Sequence, residues 1–135
     1  MRLSEMGLEP GHAGLPQRPS TFSERRRLYL VARLIVKRYY RSELTVESVA
    51  KAIAISPRQL QRIYAQFGDI TFHNELVGRR LEAAARLLST PSITVRDVAQ
   101  QVGFHQSSHF ARAFRRRYGV SPSTYRAKLD RTTSL

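Results

Sequence analysis

Cysteine is absent from this sequence, and acidic residues and long apolar runs are scarce. Without cysteine the chain cannot form disulfides, thiolate metal sites or thiol nucleophiles, which is compatible with a reducing compartment. The apolar stretches are far shorter than the roughly 18 residues that a membrane span requires. The N-terminus also lacks the basic and apolar segments of a secretory signal. These absences predict a cytoplasmic protein that does not act at a membrane.

The shortage of acidic residues leaves a large positive charge. The chain has 23 Lys and Arg residues against 10 Asp and Glu residues, a net charge of +13. Among the basic residues only Arg2 and Arg18 precede position 25, so the excess belongs to the rest of the 135-residue chain. A charge of this size says nothing about the fold but favours a polyanionic partner. The length suits one domain or a close pair of subdomains.

The first part of the chain differs in composition from the rest. Residues 1–23 are rich in glycine and proline and have little periodic apolar content. Such a segment cannot bury enough apolar surface to offset the entropy lost on ordering, so the sequence predicts a flexible N-terminal tail. Residues 24–135 form the predicted folded domain.

The predicted domain shows helical periodicity and clear helix start signals. An apolar stripe at helical spacing predicts a first helix from about Glu24 to Arg41. Hydroxyl side chains that cap helix N-termini precede the later apolar-periodic segments; they are Thr45, Ser56, Thr71, Thr94 and Ser121. Pro57 and Pro122 suit first helical positions, and Gly103 and Gly119 suit helix ends. No segment alternates convincingly with a period of two, so we expect an all-α protein of about seven helices.

An internal repeat is the strongest structural clue in the sequence. Residues 45–55 match residues 94–104, and after one extra residue in the second copy the match continues from Leu60 and Phe110. Each copy has the pattern of a short helix, a turn and a longer helix, which is typical of a helix-turn-helix unit. The sequence therefore predicts two helix-turn-helix subdomains joined by a linker helix. The first subdomain, the linker helix and the second subdomain are residues 24–70, 71–89 and 90–135.

The second helix of each unit has one apolar face and one polar face. These helices are predicted at about residues 57–67 and 106–118. Their polar faces present Arg58, Gln61, Arg62 and Ala65 in one unit and Ser107, Ser108, Ala111, Arg112 and Arg115 in the other. Arg and Gln make bidentate contacts with guanine and adenine in the major groove, and Ala and Ser are short enough for close backbone approach. A solvated charged face is the alternative for one helix, but two equivalent faces in a basic chain favour DNA recognition.

The second unit resembles the DNA-binding domain of the AraC/XylS family of bacterial transcription regulators. The residues that carry the resemblance are Gly103-Phe104-x-x-x-Ser108-x-Phe110-x-Arg112-x-Phe114 and Tyr118-Gly119-Val120-Ser121-Pro122-x-x-Tyr125-Arg126. The first unit agrees through Val49-Ala50, Ser56-Pro57-x-x-Leu60-x-Arg62 and Arg80-Leu81-x-x-Ala84. The match spans about residues 26–129. Two positions depart from the family pattern: Asp69 stands where glycine is usual, and Glu75 stands where an aromatic residue is common.

The resemblance implies a sequence-specific double-stranded DNA-binding transcription regulator that places two recognition helices in adjacent major grooves. The base-contact positions that it implies are Arg58, Gln61 and Arg62 in the first unit and Ser107, Ser108 and Arg112 in the second. The short tail makes the chain similar to stand-alone family members, which act as monomers. A fragment of a larger regulator would look the same. RNA polymerase is a candidate further partner.

Six further cations are candidates for contacts with DNA phosphates, and the affinity that they provide should be strongly salt-dependent. They are Lys51, Arg79, Arg96, Arg115, Arg116 and Arg117. For Arg80 we favour a structural bridge within the linker helix.

Two rival functions have weaker support. His105 and His109 are four residues apart, as in some helical metal sites, but no carboxylate or thiol accompanies them at ligand spacing. Ser107 and Ser108 have no acidic residue placed to complete a catalytic triad. The sequence therefore predicts no enzyme, no metal and no cofactor. A nonspecific binder of nucleic acid or of acidic membranes would need only charge, not paired caps and repeated polar faces.

Overall fold

The computed structural model describes residues 21–133, and this part of the chain contains seven α-helices and no β-strand. The helices are α1 (Phe22–Tyr39), α2 (Val46–Ala52), α3 (Pro57–Phe67), α4 (Phe72–Leu87), α5 (Val95–Gln101), α6 (Ser107–Tyr118) and α7 (Pro122–Thr133). The predicted all-α class and helix count are confirmed. The chain divides into two compact units, one ending at Leu76 and the other beginning at Val77, so the boundary falls within α4.

The first helix begins two residues earlier than the apolar stripe predicted. Thr21 Oγ1 accepts a hydrogen bond from Glu24 N, and Glu24 Oε2 accepts one from Thr21 N, which together form a capping box. Because this box satisfies amide groups that the first turn leaves unpaired, the helix starts at Phe22 rather than Glu24. Residues 1–20 of the predicted tail lie outside the described residues.

In the first unit α1, α2 and α3 enclose an apolar core. Its most deeply buried side chains include Ala32, Val36, Val49, Ala50, Leu60, Ile63 and Tyr64. Both predicted caps are present: Thr45 Oγ1 accepts from Ser48 N, and Ser56 Oγ accepts from Gln59 N. Pro57 occupies the first turn of α3, where its missing N–H leaves no bond unmade. The cap therefore fixes the start of α3, whose buried face is held by the core.

In the second unit phenylalanine side chains dominate the corresponding core. Phe104, Phe110 and Phe114 are buried and adjacent rings lie 5.3 and 5.7 Å apart. Thr94 Oγ1 accepts from Asp97 N, so the predicted cap of α5 is present. Ser121 Oγ accepts from Thr124 N at the start of α7. The cap positions predicted in this unit are thus the ones used.

The turns between the paired helices use left-handed backbone. Gly103 has φ +104° and the matching Ala54 has φ +62°. Glycine adopts this region without cost, whereas a residue with a Cβ is strained there. The two turns therefore share a shape, although only the second has the residue that suits it.

None of the helices within residues 21–133 is both long and apolar enough to cross a membrane.

Candidate nucleic-acid interface

The first recognition helix, α3, is sharply divided into two faces. Leu60, Ile63 and Tyr64 are buried in the first unit. Arg58, Gln61 and Arg62 are exposed on the same helix. Since residues three and four apart share a helix face, burial of 60, 63 and 64 leaves these polar side chains available to a partner. All three base-contact candidates of the first unit thus project into solvent.

The second recognition helix, α6, has the same division. Phe110 and Phe114 are fully buried, while Ser107, Ser108 and Arg112 are exposed. Its C-terminal end is closed by Gly119, which has φ +80° and donates from its N–H to Arg115 O at 2.7 Å. Within each unit the three predicted base-contact residues lie on one exposed helix surface. The chemistry they offer, guanidinium and amide in one unit and guanidinium and hydroxyl in the other, suits base edges in the major groove.

The candidate phosphate-contact residues differ in how exposed their side chains are. Lys51 on α2, Arg96 on α5, and Arg115 and Arg116 on α6 are exposed, and Arg79 on α4 is half-buried. An exposed Lys or Arg side chain can reach a phosphate oxygen without breaking an internal contact. These residues are therefore available for backbone contacts.

Arg117 has internal contacts in the second unit. Its guanidinium forms a 2.8 Å ion pair with Glu82 on α4 and lies 5.7 Å from the ring centroid of Tyr118. A Cβ added at Gly78 would lie 3.2 Å from Arg117 Nη1, so the guanidinium passes close to the α4 backbone. Arg117 therefore holds α6 against α4 as well as being a candidate phosphate contact.

Arg80 occupies a half-buried position on α4. Burial lowers the pKa of its guanidinium from the ordinary value, although the group remains charged at any physiological pH. This burial suits an interior role better than a contact with DNA. The bridge that the sequence predicted for Arg80 stays a prediction.

Glu75 forms a polar network that the sequence did not reveal. Its side chain is only 5 % exposed, yet both carboxylate oxygens are paired. Oε2 accepts from Arg33 Nε on α1 at 2.7 Å, and Oε1 accepts from the Tyr64 hydroxyl on α3 at 2.6 Å. We call these three residues the Glu75 clasp. Sequence reasoning marked position 75 only as a departure from the family pattern, because the partners lie 42 and 11 residues away.

The clasp perturbs the ionisation of both partners. Burial raises the pKa of Tyr64 far above its ordinary value, and the hydrogen bond to Glu75 adds to the shift. The hydrogen bond to Glu75 raises the pKa of Arg33. The clasp is therefore built from a neutral tyrosine, a paired carboxylate and a permanently charged guanidinium.

Gly68 lies one position before Asp69, the other residue that departs from the family pattern. It ends α3 with an extended backbone, φ −113°, so no left-handed conformation requires glycine here. A Cβ at this position would lie 2.8 Å from the Tyr29 hydroxyl and 3.1 Å from Tyr64 O. The glycine is therefore required by close approach to Tyr29, and Asp69 follows on the exposed side.

No group of three or more His, Asp or Glu residues in residues 21–133 is arranged to hold a metal ion. His105, two residues before α6, and His109, in the first turn of α6, are both exposed. Their position next to Ser107 and Ser108 suits solvent or nucleic-acid contact.

Comparison with known proteins identifies the family. The helix-turn-helix domain family matches residues 49–128, which is more than half of the chain. The chain belongs to the AraC-type helix-turn-helix family. This is a family of DNA-binding transcription regulators and not of enzymes. The match includes both recognition helices and the α4 linker helix.

Individual relatives agree with this assignment. YijO, an uncharacterized helix-turn-helix transcriptional regulator of Escherichia coli K12, is 40 % identical over 106 residues, covering 78 % of this chain and 38 % of the relative. The C-terminal domain of AraT, a response regulator from Geobacillus stearothermophilus, is 32 % identical with a TM-score of 0.72, covering 83 % of this chain and 88 % of that one. The chain spans about a third of the length of the curated relatives it matches.

One similar structure includes nucleic acid. The DNA-binding domain of AdpA, a global transcriptional factor solved in complex with a target DNA, is 28 % identical with a TM-score of 0.65. The match covers 74 % of this chain and 90 % of that domain. In that relative, a domain of this fold binds a target DNA.

Proposed function

We propose that this AraC-type chain is a sequence-specific double-stranded DNA-binding transcription regulator. α3 and α6 enter adjacent major grooves on one side of the duplex, about 34 Å apart along its axis. The observation that supports this most is the repeated design of α3 and α6, each with a buried apolar face and an exposed polar face. The AdpA domain, similar over most of the described chain and bound to a target DNA, supports the same assignment.

The proposed base contacts come from Arg58, Gln61 and Arg62 of α3 and Ser107, Ser108 and Arg112 of α6. Arginine recognises guanine O6 and N7, and glutamine recognises adenine N6 and N7. Phosphate contacts come from the surrounding cations, Lys51, Arg79, Arg96, Arg115, Arg116 and Arg117. These contacts set register and affinity but carry no sequence information.

The proposed domain organisation is the one predicted from the sequence. Residues 24–70 and 90–135 are the two DNA-binding subdomains, and residues 71–89 are the linker helix between them. Because one chain holds both recognition helices, a single copy suffices to read both halves of a site. We propose that it binds as a monomer, in the cytoplasm, with RNA polymerase as a candidate further partner.

Selection of bound sequences from a random DNA pool tests the proposal. The full 135-residue chain should enrich a bipartite consensus whose halves are centred about 10 base pairs apart. It should prefer the selected site over random DNA by about 10³-fold or more. Enrichment of a single uninterrupted motif would contradict recognition of the site by both α3 and α6. Binding with equal affinity to selected and random DNA would reveal a nonspecific polyanion binder.

A further inference from the structure

Among residues 21–133 Glu75 is the one buried charged side chain, and it joins three helices of the first unit. Its carboxylate accepts from Arg33 on α1 and from Tyr64 on α3, while Glu75 itself belongs to α4. An unpaired carboxylate at this depth would be costly, so the two hydrogen bonds are needed to keep it there. Arg33 is 44 % exposed and therefore retains part of its hydration.

The clasp reaches the recognition surface through Tyr64. Tyr64 is 1 % exposed and lies three residues after Gln61 and two after Arg62 on the same helix. Apolar packing by Leu60 and Ile63 is non-directional and tolerates small rotations of the helix. The 2.6 Å bond from the Tyr64 hydroxyl is directional, so it fixes the rotation of α3 about its axis. That rotation decides where Gln61 and Arg62 project.

The second unit holds its recognition helix by different means. Phe114 and Tyr125 occupy the positions that match Tyr64 and Glu75 in the repeat. Their rings meet edge to face with centroids 5.3 Å apart, and Tyr125 also lies 5.6 Å from Tyr118. An aromatic pair fills the place that the carboxylate and hydroxyl fill in the first unit. The molecule thus contains a natural control for the clasp.

We propose that Glu75 is a positioning residue for α3, so that base preference in one half of the DNA site depends on the Glu75 clasp. This inference rests on the proposed function. Base readout requires donor and acceptor atoms to meet base edges within hydrogen-bond distance, so a small rotation of α3 weakens discrimination before it unfolds the unit. The second half of the site depends on the aromatic pair and is independent of the clasp.

Three variants separate positioning from stability. Tyr64→Phe removes the hydroxyl and leaves Glu75 paired only with Arg33. Glu75→Gln is the conservative variant, because its amide can accept from Arg33 and donate to the Tyr64 oxygen. The double variant Tyr64→Phe/Glu75→Met removes both polar groups from the interior and leaves α3 held by apolar packing alone. Tyr39→Phe is the matched control, since it removes a hydroxyl from a half-buried tyrosine of the same unit outside the clasp.

The measurement is affinity of each full-length variant for the selected site and for single-base substitutions in either half. We call the half of the DNA site read by α3 the first half and the half read by α6 the second half, and discrimination is the ratio of affinities for the selected and the substituted base. Tyr64→Phe and the double variant should lower first-half discrimination about tenfold and leave second-half discrimination unchanged. Glu75→Gln should retain most of the first-half discrimination, and Tyr39→Phe should retain all of it. If both clasp variants only lower the thermal midpoint while first-half discrimination is kept, Glu75 has a structural role alone and the proposal fails. An equal loss in both halves would also overturn it.

Amide hydrogen exchange measures, in the absence of DNA, whether the Glu75 clasp holds α3 in place. In Tyr64→Phe and in the double variant, amides of α3 should exchange about tenfold faster than in the wild type, with α6 unchanged. Unchanged α3 exchange in both variants would overturn the positioning role, and the double variant decides if Tyr64→Phe does not fold. If the wild type shows no bipartite preference, the proposed function fails by itself, and the exchange result still decides whether the clasp sets α3.

Discussion

Tyr64 shows how much depends on one side chain of the first unit. Its ring lies 5.2 Å from that of Tyr29 and 5.6 Å from that of Phe72, and its hydroxyl donates to Glu75. Ionising this hydroxyl would place a second anion beside a buried carboxylate. Burial of the hydroxyl is the largest cause of the raised pKa of Tyr64, and the hydrogen bond to Glu75 and this repulsion add to the shift.

The raised pKa of Tyr64 predicts a loss of stability at alkaline pH. In the unfolded chain tyrosine ionises near pH 10, whereas in the folded chain Tyr64 stays protonated. The stabilisation is thus complete below about pH 10 and is lost as pH rises above it, by up to about 1.4 kcal/mol per pH unit. Urea unfolding between pH 8 and 11, compared with Tyr64→Phe, measures this slope.

Absorbance of tyrosinate provides the direct check. Tyr64 should fail to titrate until the fold is lost, and Tyr64→Phe should remove that delayed component from the titration. A titration near pH 10 that loses one tyrosine in Tyr64→Phe, in a chain that stays folded, would contradict the account of Tyr64.

At the scale of elements, the two helix-turn-helix turns use the same backbone with different residues. Ala54 adopts φ +62° where its counterpart Gly103 adopts φ +104°. An L-residue in this region costs roughly 1–2 kcal/mol, partly offset by the lower entropy of its unfolded chain. The first turn therefore stores strain that the second does not.

Exchanging these residues tests that difference. Ala54→Gly should raise the free energy of unfolding by about 0.5–1 kcal/mol, because it relieves the left-handed strain. Gly103→Ala should lower it by about 1 kcal/mol or more for the opposite reason. Denaturant unfolding of both variants is the measurement. Destabilisation by Ala54→Gly would show that the turn is not strained.

The helix starts were predictable because their signals are local. Thr45, Ser56 and Ser121 accept hydrogen bonds from amides three residues later, a distance that the sequence itself fixes. The earlier start of α1 at Phe22 was missed, since Thr21 and Phe22 lie in residues 1–23, whose glycine and proline content predicted a tail. The capping signal was present there but was outweighed by composition.

The Glu75 clasp and the role of Gly68 were not predictable from local pattern. Glu75 meets Arg33 across 42 positions of sequence, and Gly68 is constrained by Tyr29 on another helix. Such contacts depend on the packing of α1 against α3. The polar faces of α3 and α6 were predictable, because helical periodicity alone separates residues 58, 61 and 62 from 60, 63 and 64.

At the scale of the whole molecule, the repeat explains why one chain should read two stretches of duplex. Each unit pairs a capped short helix with an amphipathic recognition helix, and the net charge of +13 supplies phosphate attraction that both units share. The two units differ in how they hold those helices, by a carboxylate clasp in one and aromatic packing in the other. Their base preferences should therefore be separable by mutation.

The most direct test is to compare Arg62→Ala and Arg112→Ala on the selected site and on each of its single-base substitutions, using fluorescence anisotropy at fixed salt. Each variant should lose about 1–3 kcal/mol of binding free energy and relax preference at base pairs in one half only, a different half for each. A loss that is uniform across all sequences, random DNA included, would contradict base recognition by α3 and α6. Relaxation of the same base pairs by both variants would contradict the assignment of one half to each helix.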